Sequence, residues 1–275
     1  MKVRNASSLG TLIALLAVGA LWLSACSAQP PGTGTGRRPS GTTSAPTTHA
    51  PGATTTGTPG AETSPTLPAI PPASTFVKRV DNPYFPLTPG TVFTYAGTAD
   101  GEPARDVVTV TSDTTTIAGV SCTVVHDEVF VNNVLTEQTD DWYAQDATGN
   151  VWYLGEDTKE LDAKGSVTST EGSWVTGVDG AKPGLLMEAD PKVGDSYYQE
   201  FYPGQAEDVA TVVSLSVRVK VPSGRFLQGL KTQEVTRLEP GVVGAKYYVR
   251  GFGQVREVTE KGGAEDFLLV SMKRK

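Results

Sequence analysis

Apolar and polar residues alternate with a period of two along most of the chain after Thr75, and this spacing predicts β-strands. In one segment Val108 and Val110 fall on one face of a strand and the intervening residues fall on the other. No stretch keeps the helical period over the length of a typical helix; the best helix candidates are single turns near residues 71–80 and 183–187. The pattern therefore predicts an all-β fold of about ten to thirteen strands, an antiparallel meander that forms one large curved sheet or an open half-barrel.

Turn residues separate these segments, and one pair of segments carries most of the large aromatic residues. Turns are predicted at Asn132-Asn133, Asp146–Gly149 and Asp162–Gly165. The segment DDWYAQDATGNVWYLGEDTKE is thereby divided into two paired strands. Residues equidistant from a hairpin turn face each other, so Tyr143 is expected near Trp152 and Trp142 near Tyr153, to within one residue of register.

These four aromatic residues have two interpretations. They can pack in the core and across the strands, or one member of each pair can form the aromatic wall of a ligand cradle. The segment 171–184 contains four glycines and is too irregular for a strand, and long loops in small domains are often functional. Trp174 in this loop is expected at the rim of the cradle. The predicted site for an apolar or sugar-like ligand is Trp142, Tyr143, Trp152, Tyr153 and Trp174.

The N-terminus predicts export and lipid anchoring. Lys2 and Arg4 precede the apolar run Leu9–Leu23, as in a signal peptide of residues 1–25. The tetrapeptide LSAC that ends at Cys26 resembles the lipobox of bacterial lipoproteins. The resemblance implies cleavage before Cys26 and lipidation of its sulfur with acyl chains such as palmitate, and more than one chain anchors a protein stably. An ordinary signal peptide or an uncleaved anchor is the alternative.

The composition divides the chain into three parts. Residues 1–25 form the signal peptide, residues 26–74 contain the lipidated cysteine and a Thr/Pro/Gly-rich linker, and residues 75–275 form a single β-rich domain. The linker has almost no large apolar residue and is expected to be disordered. The predicted location is the extracytoplasmic face of the cell membrane, with the membrane contacted through the N-terminal lipid.

Charge excludes some classes of partner. The chain has 275 residues and a formal net charge of −7, which argues against binding to nucleic acid. Residues 137–208 contain sixteen carboxylates and four lysines, a local charge of −12. Calcium binds to carboxylates in loops, but Asp146–Asn150 lacks the second acidic ligand of a calcium loop. The acidic block is therefore interpreted as a solvated face, and neither a metal nor a cofactor is predicted.

The catalytic repertoire of the predicted domain is small. It contains one histidine, His126, and no G-x-S-x-G motif, so neither a serine triad nor a zinc site can be assembled by recognisable rules. His126 alternates in phase with Cys122, and both are interpreted as structural: a strand histidine with a local partner and a buried small hydrophobe. Two carboxylates at the separation used by glycosidases remain open, because sequence does not give distances through space.

Longer motifs carry a family resemblance. NPYFPLTPGTVFTYAG and DWYAQDATGNVWYLGEDT resemble the motifs Y-F-P-L-x-P-G-T and D-W-Y-A-Q-D-x-x-G-N-V-W-Y-x-G-E-D-T of a family of uncharacterised bacterial secreted proteins and lipoproteins. The resemblance covers almost all of residues 81–272, and the family implies no activity. We therefore predict a non-enzymatic, lipid-anchored domain that binds an apolar or sugar-like ligand or an envelope protein. A carboxylate-dependent hydrolase such as a glycosidase and a purely structural or accessory envelope protein are the alternatives.

Overall fold

A computed structural model describes Pro65 and residues 67–274; the predicted signal peptide, Cys26 and nearly all of the predicted linker lie outside the described residues. The described part is almost entirely antiparallel β-sheet with no α-helix, and the sheet is open, which confirms the predicted fold class. A short 3₁₀-helix spans Ala73–Thr75. The strands are β1 (Phe76–Val77), β2 (Val80–Asn82), β3 (Phe85–Leu87), β4 (Thr91–Ala99), β5 (Glu102–Ile117), β6 (Val120–Val131), β7 (Val134–Asp146), β8 (Val151–Leu161), β9 (Val167–Ser169), β10 (Trp174–Val175), β11 (Gly184–Met187), β12 (Ser196–Tyr198), β13 (Asp208–Val221), β14 (Gly224–Thr236), β15 (Val243–Val249), β16 (Gly253–Lys261) and β17 (Asp266–Arg274).

Two meanders make up the main sheet. One runs from β4 to β8 and the other from β12 to β17, and they join because β4 pairs with β17. Short strands β1, β9, β10 and β11 extend the first meander by pairing with β7 or β8. The two ends of the sheet approach each other: the Lys182 amide donates to the Phe201 carbonyl at 2.7 Å, and a β-carbon at Gly184 would lie 1.7 Å from the Gln199 carbonyl oxygen. Glycine is therefore required at this contact.

The predicted turns are confirmed, but one of the two predicted helical turns is wrong. Asn132 and Asn133 have φ values of 52° and 64° between β6 and β7, as a two-residue hairpin turn requires. The Gly149 amide donates to the Asp146 carbonyl, and the Gly165 amide donates to the Asp162 carbonyl. The helix candidate at residues 183–187 is instead β11, whose pairing with β8 gives its apolar side chains a sheet to pack on.

The buried face of the sheet carries the core, and the phase of burial changes within β6. Cys122 is buried near the start of this strand, but Val125 and Asp127 are buried farther along, so the buried phase has shifted by one residue. His126 is therefore half-buried on the opposite face, out of phase with Cys122, where its Nδ1 lies 2.8 Å from the Asp140 carboxylate. The prediction of a strand histidine with a local partner is confirmed. The prediction that His126 lies on the same face as buried Cys122 is wrong.

Strands β2 and β3 pair with each other in a separate two-stranded sheet, residues 80–87, which we call the covering hairpin. The Gln145 side-chain oxygen accepts the backbone amides of Asp81 and Asn82, both at 2.8 Å. The Asn82 side chain donates to the carbonyls of Gly149 and Glu188. These contacts tie one end of the covering hairpin to the β7–β8 turn. No helix in the part of the chain that the structure describes is long and apolar enough to cross a bilayer.

Candidate functional site

A pocket lies between the covering hairpin and the buried face of the main sheet. Its volume is about 70 Å³, enough for several water molecules. The walls are mostly apolar, and charged side chains reach the pocket from three strands of the main sheet. The lining residues are Phe85, Pro86, Leu87, Phe93, Tyr95, Val108, Val125, Asp127, Asp141, Tyr143, Leu186, Lys246, Tyr248, Gly253 and Gln254.

The apolar walls come from both sides. Phe85 in β3 packs edge-on against Tyr143 in β7, with 5.2 Å between ring centroids. Phe93 and Val108 are cross-strand partners on β4 and β5, and side chains opposite each other in an antiparallel pair share one face. Apolar side chains of the covering hairpin therefore face apolar side chains of the main sheet across the pocket.

The polar part of the pocket contains a lysine that already has partners. The Lys246 ammonium lies 3.0 Å from the Glu234 carboxylate and 3.7 Å from the Glu257 carboxylate. Burial alone would lower the pKa of Lys246, but these two carboxylates hold it well above its ordinary value. Lys246 therefore stays charged in the pocket wall.

A tyrosine hydroxyl lies between two buried carboxyl groups beside the pocket. The Tyr153 oxygen is 2.5 Å from Asp141 Oδ1 and 2.7 Å from Glu156 Oε2. The hydroxyl has one hydrogen and can donate to only one of the two. Burial and the Asp127 charge raise the pKa of Asp141 to about 8, and burial and the Asp141 charge raise the pKa of Glu156 well above its ordinary value. At least one of these carboxyl groups therefore holds a proton at neutral pH.

A second pair of carboxyl groups has few hydrogen-bond donors. Both side-chain oxygens of Asp106 and Oδ1 of Asp127 are buried without a donor from any other residue, and the two carboxyl groups hydrogen-bond to each other, which requires a proton on one of them. Burial raises the pKa of Asp106 well above its ordinary value, and the charge of Asp127 adds to the shift. Burial also raises the pKa of Asp127. Asp127 also lines the pocket, and apart from Asp106 no side chain donates to its Oδ1.

The structure brings three of the predicted aromatic residues together. Tyr143 stacks on Tyr153 at 4.7 Å, and Tyr153 meets Trp174 edge-on at 5.3 Å. The pairing is Tyr143 with Tyr153 and Ala144 with Trp152, within one residue of the predicted register. Tyr143 lines the pocket, whereas buried Trp174 packs behind it and donates to the Glu200 carboxylate at 2.7 Å.

The other two predicted tryptophans lie away from this stack. Trp152 is buried, donates to the Asp146 carboxylate at 2.8 Å and packs near Phe76. Trp142 is half-buried against the core and is not in the pocket lining. Binding by the five predicted aromatic residues stays a prediction, as does lipidation of Cys26, which lies outside the described residues.

The sequence pattern did not lead to a prediction of the charged residues that line the pocket. Asp127 shares its strand phase with the apolar residues Val125 and Val129, and a carboxylate in an apolar phase is a signal for a buried acid. Asp106 shares its phase with Val108 and Val110 in the same way. A buried Lys246 was harder to predict, because Tyr247 and Tyr248 place an aromatic residue on each face of the strand. The sequence there does not indicate which face is buried.

Comparisons with known proteins identify no family. No family model and no curated protein matches the sequence. Among solved structures, a protein described as exported with a YmcC-like fold, from Bacteroides fragilis NCTC 9343, has a TM-score of 0.40, 16% identity, and coverage of 70% of this chain and 99% of that chain. A protein described as a lipoprotein, from Parabacteroides distasonis ATCC 8503, has a TM-score of 0.38, 10% identity, and coverage of 69% and 98%. Likenesses this distant carry no functional argument, and the family resemblance stays a prediction.

Proposed function

We propose that the protein is a lipid-anchored, extracytoplasmic binding protein without catalytic activity, which takes a small ligand into the pocket under the covering hairpin. One observation carries the proposal: a pocket with apolar walls is lined by two buried carboxyl groups, Asp127 and Asp141, and the Oδ1 of Asp127 has no donor other than Asp106. Small-molecule sites typically combine apolar walls with a few polar groups that fix orientation. A packed core without a cavity would instead favour a purely structural role.

The attachment of the covering hairpin fits ligand entry. Within the described residues β2 and β3 pair only with each other. The strands of the main sheet therefore do not depend on the covering hairpin for backbone hydrogen bonds. It is tied down near Asn82 by Gln145 and near Pro83, whose carbonyl accepts the Gly251 amide at 2.7 Å. Displacing Phe85–Leu87 would therefore open the pocket without breaking the main sheet, as a lid does in many binding sites.

Native mass spectrometry of the mature lipoprotein, purified from its host in non-ionic detergent, tests the binding function. We expect a co-purified small molecule that raises the melting temperature when it is added back. Val108→Phe adds a ring in the pocket wall and should abolish the adduct. Val270→Phe is the matched control, because Val270 is 40% exposed on β17. If neither variant changes the adduct, or if no molecule co-purifies and none shifts the melting temperature, the proposal fails.

The anchoring part of the proposal has its own test. Cys26→Ala removes the acceptor for the lipid, so the variant should move from the membrane fraction to the soluble fraction or the medium. Cys122→Ala is the control. Cys122 is buried in the β-domain, and burial raises its pKa to about 12, so this thiol is not expected to be lipidated. Continued membrane retention of Cys26→Ala would contradict lipid anchoring.

A carboxylate-dependent hydrolase is the second candidate, and one observation favours it. Asp127 and Asp141 both line the pocket on neighbouring strands, and each lies diagonal to the other, because Asp127 pairs with Thr139. Diagonal residues are separated by roughly 7–8 Å, which overlaps the carboxyl separation of about 6.5–9.5 Å in inverting glycosidases. Hydrolysis of a chromogenic aryl glycoside that is lost in Asp141→Asn and kept in Glu137→Gln would favour this candidate.

A further inference from the structure

The pocket holds more carboxyl groups than its buried cation can balance. In the described part of the chain ten carboxyl side chains are buried, and Lys246 is the one buried base. Its ammonium is already shared between Glu234 and Glu257. Asp127 and Asp141 line the same pocket and form no ion pair within 4.0 Å there. Unpaired charges are too unfavourable to stay buried, so each of these two groups must hold a proton or meet another positive charge.

Hydrogen-bond donors are also scarce at these two groups. Oδ1 of Asp127 is buried, and only the Asp106 carboxyl group can supply it with a proton. Asp141 is approached by the hydroxyl of Tyr153, whose single hydrogen Glu156 can also accept. Each of these two carboxyl groups therefore depends on a single shared hydrogen, and a ligand that carries both N–H donors and a positive charge would supply further donors and balance their charge when they ionise.

We propose that the pocket binds a small organic cation, an ammonium group on an apolar body, with its charged end on Asp127 and Asp141; this ligand class rests on the binding function proposed above. The apolar walls at Phe85, Phe93 and Val108 accommodate the body of the ligand. Tyr143, whose ring stacks on Tyr153 and meets Phe85 edge-on, extends this apolar wall toward the carboxyl groups.

Other ligand chemistries fit the pocket less well. A metal ion needs several ligating side chains, and no group of three or more His, Cys, Asp or Glu in the described residues is arranged to hold one. A neutral sugar supplies hydroxyl donors but no positive charge, so Asp127 and Asp141 would have to stay protonated while it is bound. The positive charge of Lys246 does not repel the ligand strongly, because the Glu234 carboxylate at 3.0 Å already balances it.

Binding of a cation would release a proton. The pKa of Asp141 is about 8, so this group is mostly protonated at neutral pH, and a cation must displace that proton to form an ion pair. The charged and titratable groups that interact with Asp141 are Asp127 from β6, Tyr153 and Glu156 from β8, Lys246 from β15, and Glu137, Asp140 and Tyr143 on its own strand. Those that face Asp127 include Asp106 from β5, with His126 and Glu128 on its own strand. Affinity for a cation should therefore rise with pH, whereas affinity for a neutral ligand should not.

Calorimetric titration of the mature lipoprotein in non-ionic detergent tests the ligand class, with n-butylammonium as the probe and n-butanol as its neutral counterpart. At pH 8 butylammonium should bind at least tenfold more tightly than butanol. Its Kd should rise about tenfold per pH unit as the pH is lowered from 8 to 6, because one proton is exchanged per ligand. Titrations in two buffers of different ionisation enthalpy should show the release of up to one proton at pH 7.

Matched variants locate the effect. Asp127→Asn keeps the shape of the side chain and should weaken butylammonium binding at least tenfold while leaving butanol binding unchanged. Glu137→Gln is the control, because Glu137 is a buried carboxyl group on the same strand as Asp141 and is not in the pocket lining. An equal loss in both variants would overturn the proposed site. Both substitutions remove a buried titratable group, and circular dichroism should show an unchanged fold.

The failures of the two proposals are distinguishable. Equal affinity for butylammonium and butanol with a Kd independent of pH would overturn the cation inference and leave a binding pocket for neutral ligands. No binding of butylammonium at any pH would also overturn it. In either case the adduct experiment with Val108→Phe decides separately whether the pocket binds a ligand at all.

Discussion

Two buried carboxyl groups of the β7–β8 hairpin behave in opposite ways. Asp146, at the turn, is 3% exposed, and Asp141, farther along β7, is 4% exposed. The Asp146 carboxylate accepts hydrogen bonds from five donors on Thr148, Asn150 and Trp152. Although burial opposes ionisation, these bonds hold the pKa of Asp146 below its ordinary value. For Asp141, burial and the Asp127 charge outweigh the bond from the Tyr153 hydroxyl and raise the pKa to about 8.

The comparison shows that a low exposed fraction alone does not decide the charge of a carboxyl group: Asp146 lies near the surface and has many donors aimed at it, whereas Asp141 lies deeper and has few. A hairpin turn supplies many donors, because its backbone amides converge on one side chain. The middle of a sheet supplies few, because its amides are used in the ladder. Asp146 is therefore fixed as a structural anion, whereas Asp141 keeps a proton that it can exchange. The pocket lies at the second kind of carboxyl group.

The largest expected effect that tests this comparison is the dependence of stability on pH. Asp141, Glu257 and Glu265 each have a folded-state pKa of about 8, well above the value near 4 of an unfolded carboxyl group. Between these values the folded state holds more protons than the unfolded state, so their stabilisation is complete below about pH 4 and is lost as the pH rises to 8. One net proton changes the free energy of unfolding by about 1.4 kcal/mol per pH unit.

Urea denaturation at pH 5 and at pH 8 should therefore differ by about 4 kcal/mol for each of these three groups that keeps its raised pKa, with the protein more stable at pH 5. Asp146 has a lowered pKa, so its contribution is present above pH 4 and is lost only on further acidification. Equal stability at pH 5 and pH 8 would mean that the inner carboxyl groups are ionised or solvated, and the contrast between the two regions would disappear.

The second effect is removal of the donor-rich carboxylate. Asp146→Ala leaves its five donors without an acceptor, and the Trp152 ring nitrogen among them is buried. Unpaired buried donors are unfavourable by about 1–3 kcal/mol each, and some of those at the turn can reach water. We expect a loss of about 3 kcal/mol in the free energy of unfolding at pH 7. Asp146→Asn keeps one acceptor oxygen and should lose less; if Asp146→Ala unfolds at the same urea concentration as the natural protein, the turn does not depend on this carboxylate.

These two carboxyl groups also show where sequence can predict structure. The role of Asp146 follows from local spacing, because Asp followed by Gly149 and Asn150 between two β-rich segments is a turn signal within a few residues. The alternation that predicts the strands is local in the same way. The environment of Asp141 depends on residues distant in the sequence: Asp127 from β6, and Lys246 from β15, which reaches the same pocket only through the second meander.

Register explains the remaining misses. A shift of one residue moves a side chain to the opposite face of a sheet. The buried phase of β6 changes between Cys122 and Val125, so counting from Cys122 placed His126 with the core and left Asp127 outside it. The bulge between Asp141 and Tyr143 is equally invisible in the pattern. The aromatic stack was predicted to within one residue, but the acids that give the pocket its chemistry required the full topology.

The third effect has the opposite sign to the second. Asp141→Asn removes the titratable group but keeps an oxygen that can accept from the Tyr153 hydroxyl. The unfolded chain releases the Asp141 proton near pH 4, whereas the folded protein holds it up to about pH 8, so this group lowers stability at pH 8 and the variant should be more stable there by about 1–2 kcal/mol. At pH 5, where Asp141 is protonated in the folded state, the difference should be smaller. Paired urea curves at the two pH values measure it, and destabilisation at pH 8 would show that Asp141 acts as a satisfied anion like Asp146.

The smallest effect is expected at the residue next to Asp141 in the chain. Asp140 points to the opposite face of β7, where its side chain is 43% exposed and lies 2.8 Å from His126 Nδ1. Exposed ion pairs are screened by water and contribute about 0–1 kcal/mol, so Asp140→Asn should change the free energy of unfolding by no more than about 0.5 kcal/mol at either pH. Adjacent carboxyl groups in one strand would then differ in their response because one faces a donor-poor interior and the other faces water. If Asp140→Asn reproduces the pH-dependent stabilisation of Asp141→Asn, the effect arises from the net charge of the hairpin. The electrostatic environment of the pocket is then no different from that of the exposed face.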